Sequence, residues 1–306
     1  MTSPTSPTSP TSIVVLGSTN MDLVAYVAKA PARGETVTGR EFRTVPGGKG
    51  ANQAVAAARA GAEVSMIGAV GADEFGLRLR GALDHSGVDT DLLRTVEGPS
   101  GTAHIVVDDE GGNAIVVVPG ANGTVTSLTH GDEALIETAD ALLLQLELPL
   151  SVVVEGAGAA RERGVRTVLT PAPARSLPPE LLTATDLLVP NEHEATALTG
   201  LTDPYEAARA LLDVVPEVVV TLGSAGCLYA ARDGAEPLTV PAPRVHAVDT
   251  TAAGDTFVGV LAVALTEGRP MPEALAWASA AAALSVQHEG ASTSMPYRVA
   301  IEAALA

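Results

Sequence analysis

The run Asp249-Thr250-Thr251-Ala252-Ala253-Gly254-Asp255-Thr256-Phe257 is the strongest chemical signal in the chain. It follows a β-like segment and opens a long apolar helical pattern. A glycine at a helix start leaves backbone N–H groups free to face an anion. A carboxylate there lies in the positive end of the helix dipole. The competing reading is that Asp255 merely caps the helix.

Gly47-Gly48-Lys49-Gly50-Ala51-Asn52-Gln53 also precedes a helix, and its glycines allow close backbone approach to a ligand. It is not a P-loop: Arg43 stands where the first glycine is needed, and Gly50 where Ser or Thr is needed. A plain tight turn is the alternative. Thr221-Leu222-Gly223-Ser224-Ala225-Gly226 follows a strand, and small residues at the carboxyl end of a parallel strand suit a nucleotide. Its spacing is not that of a hydrolase nucleophile elbow.

Gln145-Leu146-Glu147 and Pro190-Asn191-Glu192-His193-Glu194 both follow apolar strand runs and so lie at one sheet edge. Oxygen ligands such as Asn191 and Glu194 suit hydrated Mg²⁺, whereas His193 lacks the second His or Cys that zinc requires. Asn20 and Asp22, after the first strand, have the chemistry to bind hydroxyls or to make an Asx-turn. The carbonyl-rich loop 287–294 suits a monovalent cation, the alternative being a loop with no ligand.

The elements that must position these groups alternate. Apolar runs at Ile13–Leu16, Val64–Ile67, Ala141–Leu144, Val165–Leu169, Leu187–Val189 and Val218–Thr221 read as strands. Ala51–Ala60, Glu74–His85, Ser151–Arg163, Ala195–Thr199, Tyr205–Leu212, Gly254–Glu267 and Pro272–Val286 read as helices. This pattern predicts an α/β fold: a three-layer body with a mostly parallel central sheet and helices on both faces. Two β-only regions, about 22–47 and 101–119, predict a small β-sheet lid on a body spanning 13–306. Val24, Tyr26, Val37, Phe42 and Val45 are spaced for strands in the first of them. Residues 1–12, with Thr-Ser-Pro three times, read as a disordered tail.

Composition sets the outer limits. Lys plus Arg total 18 against 36 Asp plus Glu, a net charge of −18, which argues against general affinity for nucleic acid or anionic membranes. Hydrophobic residues make up 46% and aromatics only 3%, so the core must be built from Ala, Val and Leu. The single cysteine, Cys227, excludes an intramolecular disulfide and a Cys-based zinc site. With no membrane-length apolar run and no signal-peptide pattern, the expected location is the cytoplasm.

The segments discriminate through their order. LGSTNMD, PGGKGANQ, QLE, TPAPA, PNEHEA, TLGSAG and DTTAAGDTF together resemble the PfkB carbohydrate kinase family, from about Ile13 to the C-terminus. The sugar-loop, QLE and PAPA segments resemble its ribokinase branch. That resemblance implies ATP-dependent phosphorylation of D-ribose at its 5-hydroxyl. It makes Asp255 the base, with Ala252, Ala253 and Gly254 as an anion hole. It puts Asn20, Asp22, Gly48, Lys49, Asn52 and Glu147 on the sugar. Asn191, Thr221, Gly223, Ser224, Gly226 and Ser279 would lie along the nucleotide. Glu194 would act on Mg²⁺ through water, and Asp249, Thr251, Ser285, His288, Gly290 and Ser294 would surround an activating K⁺.

Three positions depart from the branch: Thr170 and Val258 replace frequent asparagines, and Ser279 replaces a larger residue of the adenine pocket. The first two are expected not to touch the catalytic set. A kinase for deoxyribose or a nucleoside, and a catalytically silent sugar-binding protein, are the rivals. Pairing of two lids predicts a homodimer, because a small isolated sheet leaves an apolar face and open edges.

Overall fold

The computed structural model describes residues 11–234 and 236–306. The Thr-Ser-Pro tract lies outside the described residues. The chain runs β1 (Ser12–Leu16), β2 (Asn20–Tyr26), β3 (Glu41–Gly47), α1 (Lys49–Ala60), β4 (Glu63–Gly71), α2 (Glu74–His85) and β5 (Val88–Asp89). Next come β6 (Leu93–Val96), β7 (Gly101–Val107), β8 (Asn113–Val118), α3 (His130–Ile136), β9 (Ala141–Leu144), α4 (Leu150–Arg163) and β10 (Arg166–Leu169). Then follow α5 (Pro179–Thr183), β11 (Leu187–Leu188), α6 (Glu192–Thr199), α7 (Pro204–Leu211), β12 (Glu217–Thr221) and β13 (Cys227–Ala231). The last are β14 (Leu238–Val240), α8 (Ala253–Thr266), α9 (Met271–Ser285) and α10 (Arg298–Leu305).

Among the described residues, ten strands form the body sheet in the order β14-β13-β12-β11-β10-β9-β1-β4-β5, with β6 also on β4. Pairing is parallel from β12 to β5 and antiparallel at the β13 and β14 edge. Side chains alternate across it with the period-two rule. Ile13, Val15, Ala141 and Leu143 enter one core with α1, α2, α8, α9 and α10. Val14, Leu16, Leu142 and Leu144 enter the other with α3 to α7. The expected three layers and mostly parallel sheet are present.

Four strands form a separate small sheet, β3-β2-β7-β8. Several expectations shift in detail. Ser12, assigned by sequence to the tail, begins β1: it pairs with Glu63 and its N–H donates to Asp140 Oδ2 at 2.8 Å. Val37, spaced for a strand, lies in the irregular 27–40 segment, which includes Pro31 and Gly34. Strands β13 and β14 and the helices α3, α5 and α10 lie outside the elements expected from the sequence.

Close packing of small residues sets the site. A Cβ at Gly259 of α8 would lie 2.6 Å from the Gln53 carbonyl and 2.8 Å from Ala56 Cβ, so the glycine lets α8 press against α1. Gly48, at the N-cap of α1, has φ 95°, and a Cβ there would lie 2.7 Å from Asn20 N. Both the backbone angle and the contact require glycine. No helix among the described residues is long and apolar enough to cross a membrane.

Candidate active site

The carboxyl ends of β1, β9, β10, β11 and β12 point to one edge, where ligands collect in open parallel sheets. A cavity of about 190 Å³ opens there. Lys49, Thr170, Asn191, Glu194, Thr221, Thr250, Ala252, Ala253, Gly254, Asp255 and Val258 are on its wall. Residues from five separate sequence segments thus meet in one space.

Asp255 does not cap α8. The N-cap is Ala252, which makes no side-chain cap and sits at φ 57°. Ala252 is the non-glycine residue with positive φ among the described residues, a conformation that is strained for an L side chain. The Asp255 carboxylate, 8% exposed, is instead held from α1. Asn52 Nδ2 donates to Oδ2 at 3.0 Å, and Gln53 Nε2 donates to Oδ1 at 3.2 Å. Gly254 is helical and solvent-exposed, with nothing within 4 Å of where a Cβ would stand. Of the three expected anion donors, the Ala253 N–H already reaches the Thr250 carbonyl at 3.3 Å.

Asn20 and Asp22 lie on strand β2 rather than in a loop, so no Asx-turn forms. Alternation along the strand puts both on one face. Glu147 gathers this wall: its Oε2 accepts from Ser18 Oγ, Asn20 Nδ2 and the Lys49 N–H. Asn20 Oδ1 in turn accepts from Asn122 Nδ2 at 2.9 Å. The Asp22 carboxylate lies against Gly47, where a Cβ would be 2.4 Å from Oδ2. Asn52 Oδ1 is buried and receives no hydrogen bond from the protein.

Burial lifts Asp22 to about 7, reinforced by Glu147 and Asp255 and opposed by Lys49. Burial also raises Asp255 to about 6, while Lys49, Asn52 and Gln53 pull it back. For Lys49 burial works against the charge, but Asp255, Glu147, Glu194 and Asp22 outweigh it and raise the ammonium's pKa. One ammonium is shared by four carboxylates.

The nucleotide-side expectations divide. Asn191 and Thr221 line the cavity, whereas Gly223 and Ser224 are exposed beyond the end of β12. Gly226 packs on the Val240 carbonyl, and Ser279 is buried with its hydroxyl 4.0 Å from Cys227 Sγ. None of these last four is on the cavity wall. Glu194 accepts the Asn191 N–H at 2.9 Å and Asn191 Oδ1 accepts the Glu194 N–H at 2.8 Å, closing a capping box at α6.

The cation loop is drawn together by Asp249, whose Oδ1 accepts from Thr251 N and Oδ2 from Gly290 N, both at 2.9 Å. Burial opposes its charge, but these bonds and Arg43 hold it below the usual carboxylate range. Ser285 and Ser294 are buried and donate to backbone carbonyls, while His288 is exposed.

Thr170 and Val258 line the same cavity as Asp255, and Thr170 Oγ1 accepts from Gln53 Nε2 at 3.1 Å. Strand β10 ends beside β9, which brings Thr170 over α1. Sequence reasoning also passed over Ser18, Gln53 and Asn122. Gln53 stood inside the GGKGANQ segment, and that adjacency was the available signal.

The family model for pfkB family carbohydrate kinases matches residues 10–298. A ribokinase of Bacillus subtilis is 45% identical over 95% of this chain and 98% of its own length. A ribokinase of Schizosaccharomyces pombe is 41% identical over 93% of this chain and 95% of its own length. Among solved structures, an Arabidopsis thaliana ribokinase complexed with ribose and ATP superposes with a TM-score of 0.91. It shares 36% identity and covers 97% of this chain and 99% of its own. The chain belongs to the pfkB family of carbohydrate kinases.

Proposed function

We propose that this chain transfers the terminal phosphoryl group of ATP to the 5-hydroxyl of D-ribose, giving ribose 5-phosphate and ADP. The observation that carries the reading is Asp255: one buried carboxylate joins the polar wall of Asn20, Asp22, Asn52 and Glu147 to the open start of α8. The relative that holds ribose and ATP together supports both substrates.

Ribose offers several hydroxyls, which carboxylates and amides can read. Asn52 Oδ1, buried and without a protein donor, is ready to accept from one of them. Asp255, at about 6, is ionised at neutral pH. It takes the proton of the attacking hydroxyl as the new P–O bond forms and the bond to the ADP oxygen breaks. The Gly254 N–H and the α8 dipole face the charge carried by the transferring group. Lys49 adds a cation to a cavity otherwise rich in carboxylates. Such chemistry depends on position and charge more than on covalent participation.

The residues fit Mg²⁺ in the way that ion is commonly held. No group of three or more His, Cys, Asp or Glu suited to a metal occurs among the described residues. Glu194 is on the cavity wall to reach the ion through water, and phosphates would supply other ligands. Mg²⁺ would neutralise phosphate charge. The loop gathered by Asp249, with Thr251, Ser285, His288, Gly290 and Ser294, is read as the site of an activating K⁺, since it centres on one ionised carboxylate held by the Thr251 and Gly290 N–H groups.

The small sheet would close over the sugar and exclude competing water. Its strand β8 is exposed along its whole length, and Ile115, Val116, Val117, Val118 and Phe42 present apolar surface. Pairing two such sheets as a homodimer covers it. A monomer by light scattering at micromolar concentration would reject the dimer.

ADP release with Mg-ATP and K⁺ across ribose, deoxyribose, fructose and adenosine tests the substrate. Turnover on ribose above the others is expected. Preference for adenosine or deoxyribose would replace ribose in the reading, and ribose binding without ADP release would leave only a sugar-binding protein.

A further inference from the structure

We infer that Gln53, locked in one orientation by Gln145 and Thr170, is a positioning residue that fixes the Asp255 carboxylate for proton transfer. This rests on the kinase reading of Asp255 above. Gln53 is fully buried at the start of α1. Its Nε2 donates to Asp255 Oδ1 at 3.2 Å and to Thr170 Oγ1 at 3.1 Å. Its Oε1 accepts from Gln145 Nε2 at 2.7 Å. Both amide hydrogens and the carbonyl oxygen are therefore engaged, by groups from α8 and from the residues just after β10 and β9.

The chemistry permits one arrangement. An ionised carboxylate only accepts, so Gln53 must turn its NH₂ toward Asp255. Its carbonyl oxygen then faces Gln145, which must present its own NH₂. Rotating the Gln53 amide by half a turn would set oxygen against the carboxylate and NH₂ against NH₂. Gln145 Oε1 is buried without a hydrogen-bond partner and fits because Gly17 has no side chain: a Cβ there would stand 2.2 Å from it. The chain Gln145–Gln53–Asp255 thus runs from the end of the central strand β9 to the catalytic carboxylate. Glu147, two residues beyond Gln145, holds the Lys49 N–H and Asn20. One short segment after β9 therefore aligns the base through Gln145 and the sugar wall through Glu147.

Asn52 and Gln53 grip opposite oxygens of Asp255. Asn52 has a free acceptor toward the sugar side, whereas Gln53 has its functions spent within the protein. Loss of Gln53 should therefore alter the rate of transfer and leave sugar binding in place.

The test is steady-state kinetics of the full chain with ribose and Mg-ATP, beside ribose affinity by calorimetry and a melting curve. Gln53→Met, which keeps length and loses every hydrogen bond, should lower kcat about 10- to 100-fold, the range of one hydrogen bond to a charged group. Ribose affinity should change by no more than about threefold, since a transition-state interaction is what is removed. Thr170→Val removes one acceptor in nearly the same shape and should lower kcat by a smaller factor, which Thr170→Ser restores. Gln145→Met frees the Gln53 amide to rotate and should also lower kcat. A kcat for Gln53→Met within about twofold of wild type, or an equal loss in kcat and ribose affinity, would overturn the inference. Should Gln53→Met fail to fold, undiminished kcat in both Thr170→Val and Gln145→Met would overturn it. Wild type run alongside separates the claims: no ribose-dependent turnover in wild type defeats the kinase reading, and with it this one, whereas full wild-type turnover with an unimpaired Gln53→Met defeats positioning alone.

Discussion

Helices α6 and α8 start at the same cavity and are built in opposite ways. At α6, Asn191 and Glu194 exchange side-chain and backbone hydrogen bonds, so the first amides are satisfied within the chain. At α8 no side chain caps the helix, the N-cap Ala252 is forced to φ 57°, and Gly254 leaves open space. The sealed start contributes stability. The open one gives up that contribution and keeps dipole and N–H groups available to an anion. Strain and unsatisfied donors gathered beside Asp255 mark where chemistry happens better than any single motif does.

The largest test of this contrast is Asp255→Asn. It should lower kcat by about 10²- to 10⁴-fold, the worth of a positioned general base, with ribose affinity nearly kept. Kinetics and calorimetry on the same sample check both halves. Next is Gly254→Val: the open space admits the side chain, so the melting temperature should hold, but the anion position is filled and kcat/KM for ATP should fall at least about tenfold. Its counterpart at the sealed start, Asn191→Ala, should instead cost about 1 kcal/mol in denaturant unfolding. Equal rate losses from the two changes would erase the distinction.

Acidity offers a third test. Asp255 is raised to about 6 in the free chain, so kcat/KM should climb through that pH as the carboxylate loses its proton. For stability the sign is as follows. Asp22 and Asp255 bind protons more tightly in the folded chain than in the unfolded one, so their contribution falls as pH rises from about 4 to about 7. Asp22→Asn should therefore gain in melting temperature relative to wild type across that window. A difference that stays constant with pH would remove Asp22 from the account. Smallest is Ala252→Gly, which relieves the left-handed backbone and should stabilise the chain by up to about 1 kcal/mol in denaturant unfolding.

Much of the architecture was legible because a sheet buried on both faces writes itself as apolar runs. Ala141–Leu144 and Glu74–His85 match their sequence limits, and α1, α4, α8 and α9 differ from theirs by one or two residues. Strand β13 and the edge strand β14 escaped because Cys227–Ala231 has no β-branched residue and Leu238–Val240 is only three residues long. For the site, residue types at strand ends and helix starts brought Asp255, Lys49, Asn191 and Glu194 to one cavity. Gln53, Ser18 and Asn122 were not legible in that way. Each acts by holding another side chain more than 100 positions away along the chain, and such a partnership leaves no local trace. The Thr170 bond to Gln53, which spans 117 positions, was hidden for the same reason.

The most direct measurement is the product formed from ribose and ATP, followed by phosphorus NMR with wild type and Asp255→Asn in parallel. The account predicts ribose 5-phosphate appearing one for one with ADP in wild type. In the variant that signal should be slowed at least about 100-fold while ribose still binds. ADP without sugar phosphate, or equal product rates from the two proteins, would contradict it.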